Sequence, residues 1–177
     1  AGVSNGGVNT TSITLKTPSG VAFTQGEAFP VSFTAPIGYA NEFTIASGVN
    51  YLFSLQNPET YKTRDNRLYV EPRALRITVD GTKPVKFTIA FGATLTAPTW
   101  SDIEGDVSPV QVDTTASGVI GGLTVLEVFL DKVDKTEINL IDVFESAKIW
   151  PENSLTLLAE CTASATVTVS VTMRSRV

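Results

Sequence analysis

Three acidic residues at alternate positions, Asp102, Glu104 and Asp106, share a Gly-containing, Pro-flanked stretch. Oxygen donors in such a loop are what a calcium ion takes as ligands. The run lacks the full EF-hand spacing, and acids in loops are ordinarily solvated, so no metal site is assigned. Glu127, Asp131 and Glu137 offer carboxylates for glycoside hydrolysis, but that chemistry depends on a separation that spacing along the chain does not give. Residues 118–122, Gly-Val-Ile-Gly-Gly, lack the Lys and Ser/Thr that complete a phosphate loop, and no nucleophile elbow is present.

Histidine is absent, which removes Ser-His-Asp and Cys-His machinery, His-ligated metals and a His-based pH switch. Cys161 is the single cysteine, so neither an intrachain disulfide nor a thiolate cluster can form. It reads as a small buried hydrophobe or as half of a symmetric intersubunit disulfide. No catalytic residue and no cofactor is assigned, and the chain is not expected to be an enzyme.

The remaining chemistry is recognition. Thirteen Lys and Arg against eighteen Asp and Glu give a net charge of −5, which argues against direct nucleic-acid binding. The charge is segregated: seven of the basic residues lie from Lys62 to Lys86 beside three acids, and twelve acids lie from Asp102 to Glu160 beside three lysines. Ordinary solvated faces would account for this, as would complementary patches that guide copies together. Arg64, Arg67, Arg73 and Arg76 are candidates for carboxylate contacts with another copy. Trp100 and Trp150, each in a proline-containing stretch, are candidates for stacking on a sugar ring, with core packing the commoner fate of so large a side chain.

These residues hang on a β framework. From Ala165 onward a two-residue alternation sets Val167, Val169, Val171 and Met173 on one face and Thr166, Thr168, Ser170 and Thr172 on the other. That is a half-buried strand. Its polar face carries hydroxyls in place of charge, so it can meet another subunit at little desolvation cost, and it supplies assembly candidates together with Cys161 and the four arginines. Residues 1–9, rich in Gly and Asn, read as a flexible arm. Strands are expected over 10–16 and 28–35. Residues 41–46 and 51–56 read as a hairpin about Ser47-Gly48. A run over 68–79, interrupted by Pro72, reads as an edge strand or two strands meeting at a bend, and Asp80-Gly81 reads as a hairpin turn into 85–91. Further strands are expected at 107–112, 123–130, 136–141 and 155–160, and a short helix at 141–148.

The expected fold is therefore all-β: one domain over 1–177, a single jelly roll or β-sandwich barrel of about eight to ten antiparallel strands with at most one short helix. No apolar run reaches the length of a membrane span, and the N-terminus shows neither a basic n-region nor an apolar h-region, so a soluble chain is expected.

Residues 51–57, Tyr-Leu-Phe-Ser-Leu-Gln-Asn before Pro58, and residues 150–171, where a Pro-Glu-Asn-Ser turn leads into Leu-Thr-Leu and a Thr/Val strand, resemble small bacteriophage virion proteins of jelly-roll type. Size, missing His and single Cys are similar to the smaller major capsid protein of tailless icosahedral internal-membrane phages of the kind infecting Thermus. The resemblance implies a single vertical β-barrel and a dimer-forming subunit that tiles a shell, with a second capsid protein, around a lipid membrane. It also implies location in the virion after synthesis in the host cytoplasm. The expected function is that of a viral structural protein whose partner is itself, as a homodimer or higher assembly. The alternative is a carbohydrate-binding or host-recognition β-sandwich using Trp100 and Trp150.

Overall fold

The computed structural model describes residues 2–4, 10–12, 36–105, 108–143 and 148–176. Contacts gather into two compact units, Ala1–Phe33 and Thr34–Val177, where the sequence reads as one domain behind an arm at 1–9. In the first unit β1 (Gly2–Ser4) pairs antiparallel with β2 (Thr10–Ser12), so part of the expected flexible arm is a strand. The strand expected over 28–35 lies outside the described residues, as does most of that over 10–16.

The second unit contains β3 (Pro36–Ile45), β4 (Gly48–Gln56), β5 (Thr60–Tyr61), β6 (Arg64–Asp65), β7 (Tyr69–Gly81), β8 (Val85–Phe91), β9 (Thr94–Thr96), β10 (Ser101–Asp102), β11 (Gln111–Asp113), β12 (Gly118–Ile120), β13 (Leu123–Leu130), β14 (Val133–Asn139), α1 (Leu140–Val143), β15 (Ser154–Cys161) and β16 (Ala165–Arg176). Two sheets dominate: a six-stranded one in the order β10-β11-β4-β15-β8-β13 and a four-stranded one in the order β14-β7-β16-β3. The pairs β3·β16, β4·β15, β7·β14 and β8·β13 form one long antiparallel ribbon, and β7·β16 with β8·β15 join its two halves. A ribbon folded across two sheets in this way is a jelly roll.

Alternation explains why these strands bury what they do. Val167, Val169, Val171 and Met173 of β16 are fully buried, as are Leu75, Ile77 and Val79 of β7 and Val85, Phe87 and Ile89 of β8. The inner faces of the two sheets meet through them and through Phe53, which lies 5.1 Å from the Tyr39 ring and 6.4 Å from Phe43. Proline is tolerated in β7 because β14 ends opposite Ala74, leaving Pro72 with no ladder on that side, and the β16 register shifts between Thr172 and Met173 to pass it. This resolves the interrupted run as one bulged strand.

Neither expected hairpin exists. β3 and β4 lie in opposite sheets, and so do β7 and β8. At the first link the Asn50 side chain takes the groups a ladder would use: its Oδ1 accepts from Ala46 N at 3.0 Å, and its Nδ2 donates to Ala46 O at 2.7 Å and Gly48 O at 3.0 Å. Gly48 turns the chain with φ 107°. At the second link, a type I′ turn would need positive φ at Asp80 and Gly81, and neither residue has it. Pro84 then withholds the N–H that would start a return ladder. Instead Gly81 N donates to Lys132 O at 2.7 Å. The links at 46–47, 82–84, 131–132 and 162–164 all cross between sheets at one end of the sandwich.

The expected helix is observed as α1, where Asn139 Oδ1 accepts from Ile141 N at 3.2 Å; residues 144–147 lie outside the described residues.

Candidate functional site

The β16 hydroxyls occupy the outer face of the four-stranded sheet. Thr168 and Thr172 are exposed there, and Thr166 and Ser170 are half-buried. Register sets them in rows with their neighbours: Thr166 between Asp80 and Thr44, Thr168 between Thr78 and Glu42, Ser170 between Arg76 and Ala40, and Thr172 between Ala74 and Gly38. The result is a broad surface of short side chains.

Cys161 ends β15 inside the protein. Its thiol is buried and donates to Ala46 O at 3.0 Å. The structure places this sulfur in the packing of the crossing links, away from the Thr/Ser face.

The four arginines separate into two groups. Arg73 Nη2 pairs with Glu71 at 2.7 Å, and Arg76 Nε and Nη2 reach Glu137 at 3.0 and 3.4 Å. The Arg76–Glu137 pair is exposed on the four-stranded face, where such contacts contribute little. Arg64 and Arg67 instead border an open depression of about 440 Å³ beside Tyr61, at the far end of the sandwich from the crossing links. Lys86, also in the basic stretch of sequence, sits 2.7 Å from Glu160 and 3.6 Å from Glu127. Arg76 and Lys86 thus bring part of the basic stretch against acids of the 102–160 stretch within one chain.

Trp100 and Trp150 are not in ring contact with each other among the described residues. Trp150 is half exposed, lies 5.1 Å from the Tyr69 ring, and has the Lys148 ammonium above the same pair, 4.5 Å from Tyr69 and 5.9 Å from its own ring. Trp100 is partly buried at the start of β10. Of the acidic residues considered for chemistry, Glu127 and Glu137 stand on opposite outer faces, paired with Lys86 and Arg76, and Asp131 Oδ1 accepts from Lys132 N. Asp102 accepts from Gln111 Nε2 at 2.9 Å, and Asp106 lies outside the described residues.

Two features escaped the sequence reading. Asp113 is buried and accepts from Tyr51 Oη at 2.6 Å, Thr99 N at 2.7 Å, Thr115 Oγ1 at 2.6 Å, Thr115 N at 3.1 Å and Ala116 N at 3.0 Å. Burial pushes its carboxyl up, but these donors outweigh it and hold the group below the ordinary carboxylate value, while burial and the facing carboxylate raise the Tyr51 phenol. The visible signal was Asp-Thr-Thr, an Asx-turn composition. The second feature is β13, the outermost strand of the six-stranded sheet. Leu123 and Phe129 on it are each 70% exposed, and its one charged residue, Glu127, is engaged by Lys86. The other sheet's edges look different: β3 begins with Pro36 and carries Glu42, and β14 carries Asp134, Lys135 and Glu137. Charge and proline of that kind normally protect an edge from pairing with another strand; β13 has no proline, and its one charge, Glu127, is engaged by Lys86.

No protein-family model matches the chain, and no curated protein matches it. Among solved structures, the chain is similar to the decameric BFDV capsid protein at 10% identity and a TM-score of 0.26, over 81% of this chain and 96% of that one. That likeness is too slight to bear on fold or function.

Proposed function

We propose that this chain is a self-associating structural subunit, a capsid protein that tiles a virion shell, and that it is not an enzyme. The observation that carries the reading is the β13 edge: eight residues long, at one margin of its sheet, exposed and apolar at Leu123 and Phe129, with Glu127 as its one charge and no proline to keep it solitary. The jelly-roll order supports it as a scaffold that leaves edges and faces free for lateral contacts, although a fold by itself assigns no role. The finer expectations taken from phage virion proteins belong to the same proposal: residence in the virion after synthesis in the host cytoplasm, a second capsid protein as neighbour, and an internal membrane beneath the shell. Nucleic acid is not a direct partner in it.

Light scattering coupled to size-exclusion chromatography tests the proposal. A dimer or larger species is expected, and Phe129→Lys should reduce it while leaving the thermal midpoint nearly unchanged, because the side chain is mostly in water. A strict monomer at high concentration would overturn the reading.

The half-exposed Trp150, tilted against the Tyr69 ring, favours a second reading as a carbohydrate-binding or host-recognition module, with Trp100 as a further platform. It predicts a change in tryptophan fluorescence on titration with a glycan panel; silence across the panel removes it.

A further inference from the structure

The outer face of the four-stranded sheet carries an arrangement of charge that its hydroxyls alone do not require. Thr44, Thr78, Thr166, Thr168, Ser170 and Thr172 give its middle short side chains. Lys135 and Glu42 lie at opposite flanks of one row, in the register Lys135, Thr78, Thr168, Glu42 across β14, β7, β16 and β3. Both are exposed, and neither makes an ion pair among the described residues.

We propose that two copies of this chain meet face to face through this sheet, about a two-fold axis parallel to β7 and β16 and running between them. Such an axis preserves each row and exchanges its ends, so β14 of one copy lies over β3 of the other and β7 over β16. Lys135 then faces the second copy's Glu42, twice per dimer. The remaining charges also find acceptable neighbours: Asp80 meets Thr166, Arg76 meets Ser170 and Glu137 meets Ala40, and no like charges are opposed. Complementarity of this sort under one symmetry operator selects a second copy over other occupants. Strand spacing of about 4.8 Å and rise of about 3.4 Å give the face about 500 Å² per copy, so about 1,000 Å² in total, the size of a weak or transient interface. Thr and Ser let two sheets approach at the usual face-to-face spacing of about 10 Å.

The proposal rests on the chain being self-associating but uses the outer face of the four-stranded sheet in place of the β13 edge, and charge exchange separates the two. Analytical ultracentrifugation of Lys135→Glu or Glu42→Lys alone should show dimerisation weakened by about tenfold or more, since each creates two like-charge contacts. The double variant should recover, and an equimolar mixture of the two single variants should form the heterodimer in preference to either homodimer. Thr168→Tyr, which plants a ring at the centre of the face, should abolish the contact, and thermal melts will show that each variant folds. Unchanged association in the charge variants, with loss in Phe129→Lys, would overturn this interface and leave the self-associating reading standing. A monomeric wild type would overturn both.

Discussion

Gly81 approaches Ala165 so closely that a methyl group built on it would lie 2.7 Å from the Ala165 Cβ. The two residues are register partners where β7 leaves and β16 enters the four-stranded sheet, at the end where the chain crosses between sheets. Gly81 is therefore required for proximity and not for a turn. Gly81→Ala should destabilise the protein by about 1–3 kcal/mol through overpacking. Gly81→Ala with Ala165→Gly should recover a good part of that loss, because the crowding carbon has been removed. Urea denaturation of the four proteins in a double-mutant cycle measures the coupling; additive losses would contradict the account.

Asp113 links stability to pH. Its carboxyl is held below the unfolded value of about 3.9, so its contribution is present above that value and is lost as pH falls through the folded pKa. At pH 7, Asp113→Asn should cost about 2–3 kcal/mol, because an amide can accept through one oxygen only. The difference from wild type should narrow steadily as the solution is acidified below about pH 4. Chemical denaturation at pH 7, 4 and 3 checks this, and a constant gap would show that the carboxylate charge is irrelevant. Tyr51→Phe should cost about 1–2 kcal/mol at pH 7 through loss of one charge-assisted bond.

Asn57 holds the opposite end together. Its Nδ2 donates to Leu68 O at 2.8 Å and Ile149 O at 2.9 Å, and its Oδ1 accepts from Asn66 Nδ2 at 2.6 Å. Its backbone binds Asn153 O at 3.1 Å and Glu152 N at 2.8 Å. Asn57→Leu would preserve volume while leaving Leu68 O and part of the Asn66 amide without this partner, at a cost of about 2–4 kcal/mol. Hydrogen exchange should show the loss of protection concentrated at Asn66 and Val70. Uniform loss across both sheets would assign Asn57 no local role.

Individual strands were legible wherever one face met the core. The Val167-to-Met173 pattern, and the Val85-to-Ile89 part of the next, placed their buried residues correctly because a period of two is imposed locally by the pleat. Pairing was not legible. Short links with turn-forming residues ordinarily join neighbours in one sheet, and what sends these chains across the sandwich is supplied by the Asn50 side chain, the backbone of Lys132 and the position of Pro84. The exposed β13 edge was hidden for another reason: Leu123 to Leu130 is as apolar as a buried strand, and only its marginal place in the sheet, with Phe129 on the outer face opposite Lys86, shows that part of it meets water.

The nesting of the ribbon also dictates an order of assembly in time. Only one successive pair among its eight strands, β8 with β13, are partners, and the chain from Gly92 to Gly122 separates even these, so no tight hairpin can form first and template the rest. The shortest excursion is from Phe91 to Leu123, and the longest from Pro36 to Arg174. Closing loops of that size before any contact rewards them makes folding slow, in the millisecond-to-second range of non-local β proteins. The inner pair, β8 with β13, should acquire exchange protection early and β3 last. Newly made chains would thus spend their vulnerable interval with β3 unpaired and the backbone edge of β16 that it covers open, and dilution or a chaperone should raise the yield of refolded protein more than any change in equilibrium stability.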